Sequence, residues 1–192
     1  MKTAQCPFWS LFRAALPLSA YGVDKYAMEL HSAAGTVTRG ARSFGLRFFN
    51  IYGPRQDPSS PYSGVIAIFM DRLMKGQGIK IFGDGLQSRD FVYVGDAVAA
   101  MRAAMRSLEG DPSARAEVEN VGTGLGVDLN MLARTIGEVV GQSVDTTYAA
   151  ARAGDIRFSV ADPSRVLADL GAHPQTSLHE GLSRLHASLI DP

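Results

Sequence analysis

With a single cysteine, Cys6, in 192 residues, the chain can form neither an intrachain disulfide nor a thiolate zinc site. That scarcity suits a reducing compartment, and a cytoplasmic location is expected. The chain also lacks a charge bias: 19 basic and 19 acidic side chains cancel, and the Lys and Arg are scattered along it. A phosphate-backbone binder ordinarily carries a basic face, so nucleic acid is not the expected partner. Long apolar runs are missing as well. Stretches such as Val65–Met70 fall far short of the roughly 20 residues that cross a bilayer, and no membrane span is expected. The start loosely imitates a signal peptide, with Lys2 before an apolar-leaning Pro7–Leu18, but Arg13 interrupts the run and argues against one. His31, His173, His179 and His186 show no ligand spacing, so no metal is expected.

What is present suits one globular domain: 46% hydrophobic residues, broken into short segments by 20 Gly and 9 Pro. A helix is expected over Tyr21–Ala34, with Pro17 and Ser19 as start signals and Gly35 as its stop. Gly45–Tyr52 reads as an aromatic-rich strand ended by Gly53-Pro54. Val65–Lys75 has helical spacing, and Ile79–Phe82 and Phe91–Val94 read as strands around Gly83-Asp84-Gly85. Asp96 is placed to cap a helix ending near Leu108, and Val118–Val121 reads as a strand. Asp128 should cap a helix to about Gly141; a strand at Asp145–Tyr148 and helices at Ser164–Leu170 and Ser177–Ile190 complete the chain. Alternating strands and helices favour an α/β fold with a partly parallel sheet.

Tyr21 and Lys25 lie four residues apart, on one face of the first expected helix. An ammonium near a phenol favours the phenolate, which is useful to a general base. The spacing alone is common on solvated helix faces, so its context decides. That context is Pro17-Leu18-Ser19-Ala20-Tyr21-Gly22-Val23-Asp24-Lys25, then Leu46-Arg47-Phe48-Phe49-Asn50-Ile51-Tyr52-Gly53-Pro54-Arg55-Gln56-Asp57-Pro58. Phe82-Gly83-Asp84-Gly85, Arg89-Asp90-Phe91, Asn120-Val121-Gly122-Thr123-Gly124 and Arg152-Ala153-Gly154-Asp155-Ile156 follow in order. Together these resemble the extended short-chain dehydrogenase/reductase family, specifically its NAD-dependent nucleotide-sugar 4-epimerases. The resemblance covers residues 17–192 and leaves 1–16 as an unmatched segment.

The resemblance implies the C-terminal part of an extended Rossmann-type fold, with a truncated parallel sheet and a small substrate-binding lobe. It implies that Tyr21 takes the sugar 4-hydroxyl proton while hydride passes to NAD, and that Lys25 tunes it and holds the nicotinamide ribose. Phe49 would line the nicotinamide and Asn50 would bond the diphosphate of a UDP-sugar. Arg89 and Arg152 would neutralise that diphosphate or hold the ribose, and Asp155 would accept from a ribose hydroxyl. Lys80, Ile81 and Phe82 would border the uracil, with Val65 and the neighbourhood of Ser159 near the sugar. A dimer through the Tyr21 helix, or pairing with a full-length relative, would follow. Dehydratases and decarboxylases share the scaffold, and a non-catalytic UDP-sugar-binding remnant stays open.

From the residues alone there are plainer readings. Phe49 and Phe82 could be core aromatics, Arg89–Asp90 a surface pair, and Asn50 a turn organiser. The sequence also departs from the family: no Gly-x-x-Gly-x-x-Gly run occurs in it, and Ser10 and Ser19 do not stand where the family has its catalytic Ser or Thr. An incomplete active site is therefore expected, as is a bare sheet edge and an apolar face beside the Tyr21 helix.

Overall fold

The computed structural model describes residues 17, 19–57, 60, 64–113, 115–152 and 154–191, so the leading segment with Cys6 lies outside the described residues. The chain divides into two units, one of Met1–Gly45 with Pro112–Val118, the other of Leu46–Asp111 with Glu119–Pro192.

The first unit is built on α1 (Ala20–Arg39). Ser19 caps it, its hydroxyl accepting from the Gly22 N–H at 3.1 Å. The expected stop at Gly35 is corrected: Gly35 is a buried helical residue, and the helix runs to Gly40. The reason is conformational. Here a left-handed residue closes the helix: Gly40 takes φ 64°, letting its N–H and that of Ala41 bond back to Thr36 and Gly35 at 3.0 and 3.3 Å. Val23, Leu30 and Val37, spaced seven residues apart along one face of α1, are exposed, as is Met28 on the other side.

The strand expected at Gly45–Tyr52 is assigned as β1 (Ser43–Phe48) and β2 (Asn50–Tyr52). Consecutive N–H groups of an extended chain point to opposite sides. Phe49 accordingly donates to the Val121 carbonyl at 3.1 Å, and Asn50 to the Asp90 carbonyl at 2.9 Å.

In the second unit, β2 runs parallel to β5 (Phe91–Tyr93), and β3 (Ile79–Phe82) runs parallel to β8 (Thr146–Ala149). The short β4 (Ser88–Arg89) lies antiparallel to β7 (Val127–Asp128) and parallel to β9 (Phe158–Ser159). Pairs as short as these carry no readable hydrophobic alternation, and the sequence does not announce them. β6 (Ala116–Val121) pairs with β1.

The helices are α2 (Val65–Met74), α3 (Val94–Gly110), α4 (Leu129–Val140), α5 (Ser164–Leu170) and α6 (Leu178–Ile190). Asp128 caps α4 as expected, accepting from the Met131 N–H at 2.7 Å. Asp96 does not cap α3: it sits in the first turn, and its carboxylate accepts from the Thr176 N–H at 3.1 Å. The helix starts three residues early, with Tyr93 in place of Asp96 at the cap, because β5 runs directly into it. Ile66, Phe69, Met70, Leu73, Ile79, Ile81, Leu132, Ile136, Leu182 and Leu185 form the main core, bringing α2, α4 and α6 together around β3. A smaller cluster joins Ala100, Val121 and Val166.

Candidate functional site

In the second unit the polar side chains gather at strand ends. Arg89, on β4, is half-buried and saturates part of its fork: Nη2 donates to Asp155 Oδ1 at 2.6 Å, and Nη1 to the Ile156 carbonyl at 2.6 Å. The plainer reading of Arg89 and Asp90 as a surface pair does not hold. Asp90 is instead wholly buried, and its carboxylate accepts from the N–H groups of Thr123, Gly124 and Ala161 at 2.9, 3.0 and 3.2 Å and from the Thr123 hydroxyl at 2.7 Å. Sequence reasoning passed over Asp90. The signal was present, since Arg-Asp-Phe and Gly-Thr-Gly are the two parts this carboxylate ties together.

Phe82 is half-buried and carries two cations: the Arg152 guanidinium stands 4.0 Å from its ring centroid and Lys80 Nζ 5.4 Å away. Ile81, between Lys80 and Phe82, points the other way and is a core residue at 1% exposure. The alternation of a strand explains it: Lys80 is exposed, Ile81 buried. Val65 opens α2 and packs on the core rim.

A cavity of about 520 Å³ is lined by Arg47, Phe48, Phe49, Asn50, Asn120 and Ser159. Phe49 and Asn50 therefore come together at one hollow, with Asn120 from the Asn-Val-Gly motif as a lining residue not singled out from the sequence. A second cavity, about 310 Å³ between α2 and α6, contains none of the expected site residues.

The first unit holds Tyr21 and Lys25 on the first turns of α1, both exposed, with Lys25 Nζ 5.3 Å from the Tyr21 ring centroid. The shared helix face is thus realised. Ser19 is occupied as the cap of α1. No group of His, Cys, Asp and Glu able to hold a metal occurs among the described residues.

One exposed pair frames the site. Arg157 grips Asp84 with both ends of its fork, Nη1 to Oδ1 at 2.6 Å and Nη2 to Oδ2 at 3.0 Å. These bonds, aided by the Leu86 N–H, lower the Asp84 carboxyl from 3.8 to about 2. A depressed carboxyl keeps its partner at every pH above its ordinary range and loses it as pH falls through the folded value. In an NMR titration Asp84 is expected to show a midpoint near 2, returning toward 3.8 in Arg157→Gln. A wild-type midpoint at the ordinary value would mean that the pair does not form in solution.

Residues 11–122 match the model of the NAD dependent epimerase/dehydratase family, which is more than half of the chain. The chain belongs to that family. It is 40% identical over 168 residues to the UDP-glucose 4-epimerase of Mycolicibacterium smegmatis, an alignment covering 88% of this chain and 52% of that protein. Among solved structures, the UDP-glucose 4-epimerase of Thermotoga maritima with UDP-glucose superposes at a TM-score of 0.83 and 39% identity, covering 91% of this chain and 54% of that one. The Thermus thermophilus UDP-glucose 4-epimerase complexed with NAD gives 0.81 and 31%, covering 92% and 55%. The chain spans about half the length of the curated relatives it matches. These likenesses bear out the α/β, Rossmann-type expectation for the fold. No helix among the described residues is long and apolar enough to cross a membrane.

Proposed function

We propose that this chain is the substrate-binding part of a cytoplasmic NAD-dependent nucleotide-sugar 4-epimerase acting on UDP-glucose or UDP-galactose. The observation that carries the reading is the Arg89–Asp155 pair beside the cation-covered face of Phe82. A guanidinium suits a diphosphate, a carboxylate suits ribose hydroxyls, and the flat Arg152 guanidinium lying over Phe82 suits stacking on a base. Asn50 adds an exposed amide at the hollow lined by Phe49.

NAD, when bound, supplies the acceptor for the C4 hydride. Within the first unit, Tyr21 and Lys25 present a phenol and an ammonium side by side, which suits its nicotinamide ribose. The sequence has no Gly-x-x-Gly-x-x-Gly run for its pyrophosphate, and the Gly83-Asp84-Gly85 turn is no substitute because it joins β3 to β4 and opens no helix whose amides could face a phosphate. In this reading Tyr21 receives the proton of the sugar 4-hydroxyl and returns it to the epimer, Lys25 stabilises the phenolate, and Arg89, Arg152 and Asn50 hold the diphosphate while the sugar turns. The exposed apolar row of α1 serves as the interface with a second copy.

Calorimetry with UDP tests the binding part. The chain is expected to take up one UDP with an affinity that falls as salt rises, since the attraction is between exposed charges. Absence of heat at every salt concentration would overturn the reading.

A further inference from the structure

Ahead of Ile156, the Asp155 N–H donates to the Arg152 carbonyl at 3.2 Å. Beyond it the backbone is laddered, with the Ser88 and Asp90 N–H groups donating to the Arg157 and Ser159 carbonyls at 2.9 Å each. Side chains hold the loop on both sides of that junction. Arg89 reaches to Asp155 and the Ile156 carbonyl, and Arg157 reaches back to Asp84. The two ion pairs have opposite sense: one segment offers Asp84 and Arg89, the other Asp155 and Arg157. A two-residue slip that sets Arg89 opposite Arg157 instead of Ser159 brings like charges together and opposes that register.

Asp84 is itself held firmly. Its carbonyl accepts from Asn130 Nδ2 at 3.0 Å, the Gly85 carbonyl accepts from the Asn130 N–H at 3.3 Å, and Tyr148 on β8 donates to Asn130 Oδ1 at 2.9 Å. A Cβ at Gly85 would collide with the Asn130 side chain, which explains the glycine at this close approach. Asp84 is thus tied through its backbone to α4 and β8, whereas Arg157 belongs to the site loop. Both side chains are about half exposed, at 49% and 53%, so the pair adds little to global stability. Its bidentate geometry defines position.

We propose that the Asp84–Arg157 fork is a positioning clamp that sets where Asp155 and Arg152 stand against Arg89, and so governs nucleotide affinity. Asp84 and Arg157 are positioning residues in this scheme, not ligands. The effect on affinity rests on the UDP-binding reading above; the effect on the loop does not.

Asp84→Asn separates the clamp from its charge. Removing a negative charge near an anionic ligand strengthens binding by electrostatics alone, whereas a released loop weakens it. The expected result is a UDP dissociation constant raised roughly three- to tenfold in calorimetry. Hydrogen–deuterium exchange should quicken over residues 154–157 while the β3 and α4 amides stay as protected as in the wild type. Arg157→Lys, which keeps the charge and loses the fork, should behave like Asp84→Asn. Unchanged exchange over 154–157 overturns the proposal, as does faster exchange with unchanged or tighter UDP binding. If the wild type binds no UDP, the substrate reading falls, and the exchange data still decide the clamp.

Discussion

Asp90→Ala is expected to lower the unfolding free energy by about 3–5 kcal/mol, because several hydrogen bonds to one buried carboxylate, each worth about 1.5–3 kcal/mol, are lost together. Asp90 has no exposed surface, and its two oxygens serve three backbone N–H groups and the Thr123 hydroxyl. Its backbone is committed as well: the N–H donates to Ser159 and the carbonyl accepts from Asn50, each at 2.9 Å. One residue therefore joins β2, β9 and the turn after β6. Alanine removes the acceptor and strands the donors at a part-buried junction. Asn retains one acceptor and presents an amide to donors, so it should fall between Ala and the wild type. Urea unfolding monitored by circular dichroism measures the change. A loss below about 1 kcal/mol for Ala would show that the donors find other partners.

The same carboxylate explains a glycine. A Cβ on Gly122 would press on Ala161 Cβ and lie 2.6 Å from Asp90 Oδ2. The Arg-Asp-Phe and Asn-Val-Gly-Thr-Gly stretches, about thirty residues apart, are thus two halves of one junction, with Asp90 seated where a side chain at 122 would otherwise be.

Much of this fold was legible where local chemistry decides it. Asp128 and Ser177 stand before amphipathic runs and do cap α4 and α6, because a cap needs only its own first turn. Ser164–Leu170 and Ile79–Phe82 appear with the expected bounds for the same local reason. Failures occur where a distant partner decides. Gly35 looks like a stop until Gly40 is seen to provide the left-handed turn, and Asp96 looks like a cap until Thr176 claims it. β4, β7 and β9 exist only because they meet one another. The site divides in the same way. Family motifs pointed to Arg89, Asp155, Arg152 and Phe82, whose mutual contacts the structure supplies. The Asp84–Arg157 fork, bridging 73 positions, left no local trace. Ile81 shows the limit of transferring a motif wholesale, since strand alternation puts its side chain in the core.

Arg89→Ala is expected to weaken UDP binding at least roughly 30-fold, the scale of removing one member of a hydrogen-bonded charge pair at a binding surface. Two mechanisms would produce that loss, and they differ in what they predict next. If Arg89 grips the diphosphate directly, its absence is not repaired by any change at Asp155. If Arg89 acts only by neutralising Asp155, the stranded carboxylate repels the ligand, and Arg89→Ala with Asp155→Ala recovers most of the affinity. The geometry favours direct grip. Nη1 is committed to the carbonyls of Ser88 and Ile156, and Nη2 meets Asp155 through one oxygen, so these bonds engage the fork without forming a closed bidentate pair with the carboxylate. The double variant is therefore expected to stay weak. Arg89→Lys, a point charge without the planar fork, should recover only part of the affinity, because a single ammonium cannot hold the Ile156 carbonyl, Asp155 and a phosphate oxygen in fixed directions. Wild-type affinity in Arg89→Ala would remove this residue from the nucleotide site.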